Sequence, residues 1–237
     1  MKERPILFSA PMVRALLDGT KTQTRRIVKP QPVLNGHFWE LFGAGWSDRI
    51  TSVPAVPGHS LAANCPYGQP GDRLWVRETW MPDPENDGTW AYTQWAGSKH
   101  SPLSDIPKRF QTPEHCIHRA SWTGSEMVWT PSIHMPRWAS RILLEVTRVR
   151  IERLEECSEK DARAEGIHRY EYFWRDCEHP LPDIAYQATK DSKIRYSNPV
   201  DAYRELWEQI NGAGSWEANP WVWVVEFRRL DSRKPSI

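Results

Sequence analysis

Cysteine is scarce in this sequence, net charge is almost absent, and there is no long apolar run. The four cysteines of the 237-residue chain, Cys65, Cys116, Cys157 and Cys177, are widely spaced and make no C-x-x-C pair. That spacing argues against a disulfide framework or a zinc ribbon and for reduced thiols in a cytoplasmic protein. With 31 Lys and Arg against 30 Asp and Glu, the formal charge is +1. No global basic field exists to drive indiscriminate nucleic-acid binding, so any such role must rest on a local patch. No stretch approaches the roughly 18 apolar residues of a membrane span. The start, MKERPILFSAP, has too short an apolar run for a secretory signal. Internal repeats and low-complexity tracts are absent too.

Tryptophan, by contrast, is abundant. Seven of the 14 tryptophans fall between residues 75 and 138: Trp75, Trp80, Trp90, Trp95, Trp122, Trp129 and Trp138. Each ring has a large apolar face and one N–H donor. Such rings either pin long loops to the protein body or stack on bases, where each contributes about 1–3 kcal/mol.

Several segments carry clear local signals. Ser9-Ala10-Pro11 reads as a helix start, Val13, Leu16 and Leu17 have helical spacing, and Gly19 ends the run. A strand or bent strand follows and breaks at the prolines of IVKPQP. GDRLWVRETW (71–80) is a turn followed by a half-buried strand, with Leu74 and Val76 on its apolar face. RILLEVTRVRIERL (141–154) is strand-like, and its alternation slips near Thr147, which suggests a bulge. Ser158 caps a short helix that Gly166 ends. Asn198 and Pro199 open the clearest helix, whose apolar face is Ala202, Tyr203, Leu206, Trp207 and Ile210, and Gly212 closes it. PWVWVVEFRRL (220–230) is a final strand with Trp221, Trp223, Val225 and Phe227 on one face. Residues 31–70 and 81–136 read as loop-rich insertions and 168–197 as an irregular connection. Parallel βαβ alternation is missing. The fold expected is therefore α+β and mostly β: one domain, a small barrel or curled sheet with flanking helices and two long insertions.

Chemistry concentrates in LLDGTKTQTRR, which packs Lys21, Thr24, Arg25 and Arg26 directly after the first helix. With Gly19, Lys21 and Arg26, this stretch resembles the G-x-K-x-x-x-x-R signature of the ASCH domain, a PUA-like β-barrel. GDRLWV, SEKDARAEG and WVWVVEFRRL resemble three further family pieces in the same order. The whole chain is similar to the larger Trp-rich ASCH proteins of bacteriophages and prophages. The likeness covers about half of the chain and omits both insertions.

That resemblance implies binding of RNA or a modified nucleoside. It also implies, as in some small family members, amide hydrolysis of N4-acetylcytidine by a Lys, a Thr three residues on and a Glu. By position these are Lys21, Thr24 and Glu165. Arg26, Arg25, Trp75 and Arg77 are the expected substrate contacts, and no metal or cofactor is expected. The alternative is a non-catalytic module, or a ribonuclease, whose Lys and Arg contact phosphate. Protein partners are left unspecified.

The residues themselves allow this chemistry and leave roles open. A Thr hydroxyl needs a nearby base, and Lys is a base only if desolvation or neighbouring cations lower its pKa. Paired with Glu165, the ammonium of Lys21 could instead serve as acid or oxyanion donor, with the carboxylate as base. In a flat strand Lys21 and Thr24 point to opposite faces, so a shared pocket requires a bulge or turn between them. Plainer readings stand beside these. Lys21 and Arg26 could be solvated edge charges, Thr24 a β-former and Glu165 a helix end. Asp72 reads as a turn former, and Arg77 with Glu78 as a local pair. Arg148, Arg150 and Arg153 read as a solvated face or a phosphate stripe. HCIH (115–118) lacks a second cysteine pair for a metal. His134 reads as part of a docking loop.

Overall fold

The computed structural model of the chain describes residues 1–35, 38–41, 51–54, 61–83, 103–172 and 183–230. Of the residues singled out above, Trp90, Trp95 and Cys177 lie outside that set. The strands are β1 (Glu3–Leu7), β2 (Gln23–Ile27), β3 (Val33–Asn35), β4 (Phe38–Leu41), β5 (Thr51–Pro54), β6 (Arg73–Arg77), β7 (Trp80–Pro82), β8 (Cys116–His118), β9 (Leu143–Arg153), β10 (His168–Tyr172), β11 (Asp183–Gln187) and β12 (Trp221–Leu230). The α-helices are α1 (Ala10–Leu17), α2 (Glu159–Ala164) and α3 (Pro199–Asn211). Among the described residues this is a mixed α/β structure, mostly strands, with several sheets of which none closes into a barrel. No helix among them is long and apolar enough to cross a membrane. The chain divides into two compact units, residues 1–2, 15–72 and 145–228, and residues 3–14, 73–144 and 229–237.

In the first unit β12 lies between β2 and β9. It pairs antiparallel with β2, setting Arg25 opposite Val224 and Thr24 opposite Val225. A strand with neighbours on both sides and cover on both faces is apolar throughout rather than alternating. Val222, Trp223, Val224 and Val225 are accordingly all buried, not only the odd-numbered positions that the sequence pattern favours. Along β9, Leu144 and Val146 are buried, whereas Thr147 and Arg148 are both exposed, so the alternation slips where the sequence suggests it.

Asp72 forms its turn, accepting from the amides of Lys2 at 2.7 Å and Gln69 at 3.2 Å. The neighbouring Gly71 amide donates to Val146 O at 2.8 Å. Helix α3 is capped by Asn198, whose side chain accepts from Val200 N, and it buries Ala202, Tyr203, Leu206 and Trp207. Ile210, one turn further on, stays 50% exposed.

Two segments read as irregular contain sheet. β3, β4 and β5 form a three-stranded antiparallel sheet inside 31–70, and β10 pairs antiparallel with β11 inside 168–197. Strands of three to five residues are too short for a period of two to register against turn-forming flanks.

In the second unit β1 runs parallel to β6, with Leu74 and Val76 buried as their alternation requires. β7 pairs with β8, and Trp80, fully buried, packs with Met135 and Ala139 against Leu103, Cys116 and Trp138. The Trp80 and Trp138 rings meet edge to face at 5.5 Å. Here the tryptophans pin a loop-rich segment. Nearby, Arg141 donates through Nε and Nη2 to the two oxygens of the buried Glu78 carboxylate, at 2.9 and 3.0 Å.

His118, 6% exposed, donates from Nε2 to Ala139 O at 3.1 Å. Burial lowers its pKa below the ordinary 6.5, with the Arg141 cation assisting and Glu78 and the Ala139 bond opposing. The unfolded chain therefore takes up this proton first as pH falls. The stabilising contribution is complete above about pH 6.5 and is lost progressively below it. His118→Gln, which retains a donor for Ala139, is expected to flatten that part of the decline in Tm between about pH 7 and pH 5, as measured by thermal denaturation.

Candidate functional site

The site begins at the end of α1. Gly19 takes a positive φ of 76°, and the amides of Thr20 and Lys21 both donate to Ala15 O at 3.0 Å. The chain then runs extended through β2. Lys21 forms an isolated antiparallel bridge with Glu165, and Thr22 N donates to Ala164 O at 2.8 Å. The carboxylate side is positioned by α2. Ser158 and Asp161 close a reciprocal capping box at its start, and Glu165 is its C-terminal cap. Gly166 follows at φ 89°, and a Cβ there would lie 2.8 Å from Ala15 Cβ and 2.9 Å from Lys21 Cβ. Only glycine allows both the left-handed turn and so close an approach of the two segments.

Period-two geometry then sorts the side chains of LLDGTKTQTRR. Lys21, Gln23 and Arg25 all face α2 and its cap. Lys21 Nζ donates to Glu165 Oε2 at 2.9 Å and to Glu165 O at 2.8 Å. Gln23 Nε2 donates to Asp161 O at 3.1 Å. Arg25 Nη1 donates to Glu165 Oε1 and its Nη2 to Glu152 Oε2, each at 3.2 Å, and Nη2 lies 3.6 Å from Asp161 Oδ2. The side chains of Lys21 and Arg25 are wholly buried and that of Glu165 is 2% exposed.

Thr24 is also buried, but as the residue between Gln23 and Arg25 in a regular strand it faces the other side of β2. No bulge brings it round between these residues, so the structure unites Lys21 with Glu165 and turns Thr24 away. Arg26 is half-buried, opposite Trp223 in the register, and its charge acts on Lys21 and on Tyr67.

Burial shifts these groups in different directions. Desolvation pulls the Lys21 pKa below its ordinary 10.5, and the Arg26 and Arg25 cations add to this; Glu165 opposes without reversing it. At Arg25 burial also pulls downward, but Glu165 and the other neighbouring acidic groups outweigh it, so the guanidinium stays charged. Burial raises the Asp161 carboxyl, yet the Ser158 bonds and the Arg25 and Arg150 cations bring it down to about 2. Cys157, buried beside Arg25, is pushed up to about 12. Tyr203, whose ring centroid lies 5.9 Å from the Arg25 guanidinium carbon, is raised well above 10.0 by burial and then by Glu165.

Arg150, Glu152, Asp161 and Glu226 surround this core; Glu152 and Glu226 carry no signal in the sequence, and Arg150 and Asp161 are legible there only as a stripe arginine and a helix-start residue. Arg150 bonds Asp161 Oδ1 at 2.6 Å and also pairs with Glu152 and Glu226. Arg153 donates to Asn219 O at 2.9 Å and lies 4.3 Å over the Trp221 ring. All three arginines considered as a phosphate stripe thus have internal partners, Arg148 through a long 3.9 Å contact with Glu226 from an exposed position. Nothing local in the sequence marks Glu152 or Glu226, which come from different strands.

Trp75 and Arg77 belong to the second unit. Arg77 lies 5.4 Å over the Trp75 ring, donates from Nε to Met135 O at 3.1 Å and also bonds Ile133 O, which ties down the 131–135 turn. Glu78 pairs with Arg141 rather than with Arg77. In HCIH, His115 bonds Thr112 Oγ1 at 3.0 Å, Cys116 donates to Thr112 O at 3.4 Å, and His118 donates to Ala139 O. His134 is exposed. Among the described residues no group of three His, Cys, Asp or Glu side chains is placed to hold a metal ion.

Comparison of the chain with protein families, curated proteins and solved structures finds no match.

Gly166→Ala is expected to destabilise the protein by about 2–4 kcal/mol, the sum of a left-handed alanine and an overpacked contact. Urea denaturation measures it. Gly19→Ala, where a Cβ meets nothing within 4 Å, is expected to cost only about 1 kcal/mol, from its φ alone.

Proposed function

We propose that this chain is an ASCH-type, PUA-like protein that hydrolyses the exocyclic amide of an N4-acylated cytidine or a related modified nucleoside. The reading is carried by one observation. Lys21 and Glu165, 144 residues apart, meet as a buried pair at 2.9 Å beside a second cation. A phosphate-binding role has no use for that carboxylate, and the paired, buried Lys21 and Arg25 present no charge to a phosphate.

In the scheme supported by this pair, Glu165 accepts a proton from water while the water oxygen bonds to the acyl carbon. The Lys21 ammonium donates a hydrogen bond to the developing oxyanion. As the C–N bond breaks, Lys21 gives its proton to N4, releasing cytidine and a carboxylic acid. The proton taken by Glu165 then returns to Lys21. A lowered Lys21 pKa suits a group that must give up its proton. Water is the nucleophile because Thr24 faces the other side of β2. With so little of Glu165 exposed, substrate entry has to part the side chains above it.

The same burial favours a second reading, a non-catalytic RNA or modified-nucleotide module in which the cluster is a structural clasp. Purified protein incubated with N4-acetylcytidine decides between them, with cytidine release followed by chromatography. Turnover reduced at least about 100-fold in Lys21→Met and Glu165→Gln, with circular dichroism confirming that both fold, supports hydrolysis. Absence of turnover by the wild type, with salt-sensitive RNA binding, supports the module.

A further inference from the structure

Glu165 is held asymmetrically. Oε2 and the backbone carbonyl of the same residue accept from Lys21 Nζ at 2.9 and 2.8 Å, while Oε1 accepts from Arg25 Nη1 at 3.2 Å. Arg25 is itself fixed from behind. Its Nη2 bonds Glu152 and approaches Asp161, and its guanidinium lies over Tyr203. Glu152 and Asp161 are held in turn by Arg150, and Asp161 by the Ser158 cap. Two cations thus divide one carboxylate.

They are not equivalent. A guanidinium does not give up its proton in a protein, whereas an ammonium with a lowered pKa can. We propose that Arg25 is a positioning residue, one that anchors Oε1 of Glu165 so that Oε2 is committed to Lys21, and that its permanent charge sets the protonation balance of that pair. This assigns Arg25 away from substrate contact. It rests on the hydrolase reading only for its catalytic consequence.

The geometry fixes the signs. Arg25 is a cation that disfavours the charged form of Lys21. Removing it removes that bias and frees the carboxylate for a fuller pairing with the ammonium. Both changes raise the Lys21 pKa. Glu152 is an anion that neutralises Arg25 from the other side, so removing it exposes Lys21 to more of the Arg25 charge and lowers the Lys21 pKa. The charged and titratable groups facing Lys21 and Arg25 are Arg26 on β2, Glu152 on β9, Cys157 just before α2, Asp161 and Glu165 on α2 and its cap, and Tyr203 on α3, with Arg150 and Glu226 behind Glu152 and Asp161. The variants leave all of these in place except the one changed.

The test follows the Lys21 ammonium by NMR of protein labelled with 15N at lysine Nζ, with Lys21→Met assigning the signal. Arg25→Gln is expected to move the titration up by about one unit or more and Glu152→Gln to move it down by a smaller amount. Arg25→Lys, which keeps the charge, is expected to stay near wild type. Where Arg25→Gln fails to fold, Glu152→Gln and Arg25→Lys carry the test. Shifts of the same sign in Arg25→Gln and Glu152→Gln overturn the proposal, as does an unmoved titration in Glu152→Gln. With N4-acetylcytidine as substrate, Arg25→Gln is expected to lower kcat at least about tenfold with KM within twofold of wild type. Opposed shifts in the two variants, with no turnover by the wild type, uphold the positioning role and refute the hydrolase reading. Turnover with an unmoved titration in the variants does the reverse.

Discussion

A carboxylate with 2% of its side chain exposed has lost its water shell, and the first unit is organised to replace that shell at Glu165. Lys21 supplies one cation and Arg25 the other. Neither long side chain retains any exposure, so each depends on the carboxylate as much as the carboxylate depends on it. Taking these charges out of water costs several kcal/mol per ion before any attraction is counted, and their mutual attraction offsets it only in close geometry. Loss of one partner leaves an uncompensated buried charge, at a cost of about 3–5 kcal/mol. The surrounding layer extends the same logic outward, since Arg150 faces Glu152, Asp161 and Glu226, which are between 19% and 32% exposed. Charge alternates from the buried centre to the rim, and no unit of it is left without an opposite neighbour inside that set.

Local rules place these groups to a fraction of a turn. Helix α2 is only six residues long, too short to stand alone, so its ends decide where it lies. Asp161 closes the capping box with Ser158 and also meets Arg150. One carboxylate therefore fixes the start of the helix and part of the ionic layer, and its pKa of about 2 reflects both duties. At the other end Gly166 lets the chain turn within contact distance of Ala15 and Lys21. An alanine there would push apart the two segments whose approach creates the Lys21–Glu165 contact. Strand alternation supplies the last constraint: once Lys21 faces Glu165, Gln23 and Arg25 must face α2 too, and Thr24 cannot.

This explains what the sequence could and could not disclose. Caps and stops are local, and Ser158, Gly166, Asn198 and Gly212 all act where their types indicate. The alternation of Leu74 and Val76 and the slip near Thr147 are local as well. The odd spacing of Lys21 and Thr24 already carried the warning that the structure bears out for the strand between Gln23 and Ile27. The partners of Arg25 are not announced locally: Glu165 is reached only through the resemblance of SEKDARAEG, Asp161 is legible only as part of its helix start, and Glu152 lies 127 residues away with no motif. Arg150 looked like one member of a basic stripe because a sequence shows charge but not which acids another strand brings to it. β3–β5 and β10–β11 were hidden for a different reason, being short strands among turn-forming residues whose pairing is stabilised by partners rather than by pattern.

Burial and pairing alone do not mark a site, as the second unit demonstrates. Glu78 is as buried as Glu165 and is also held by an arginine, with both oxygens bonded at 2.9 and 3.0 Å to one guanidinium. That arrangement is symmetric and closed. A guanidinium is not a group that gives up its proton in a protein, so the pair has no proton to exchange. It holds β6 to the segment entering β9 and has no further chemistry available. Glu165 differs in that one of its two cations is a lysine, a group able to give up its proton, whose burial lowers its pKa. The distinction between the two carboxylates lies in the chemistry of the partner, not in depth or distance. It is the physical reason to look for function at the end of α2 rather than beside β6.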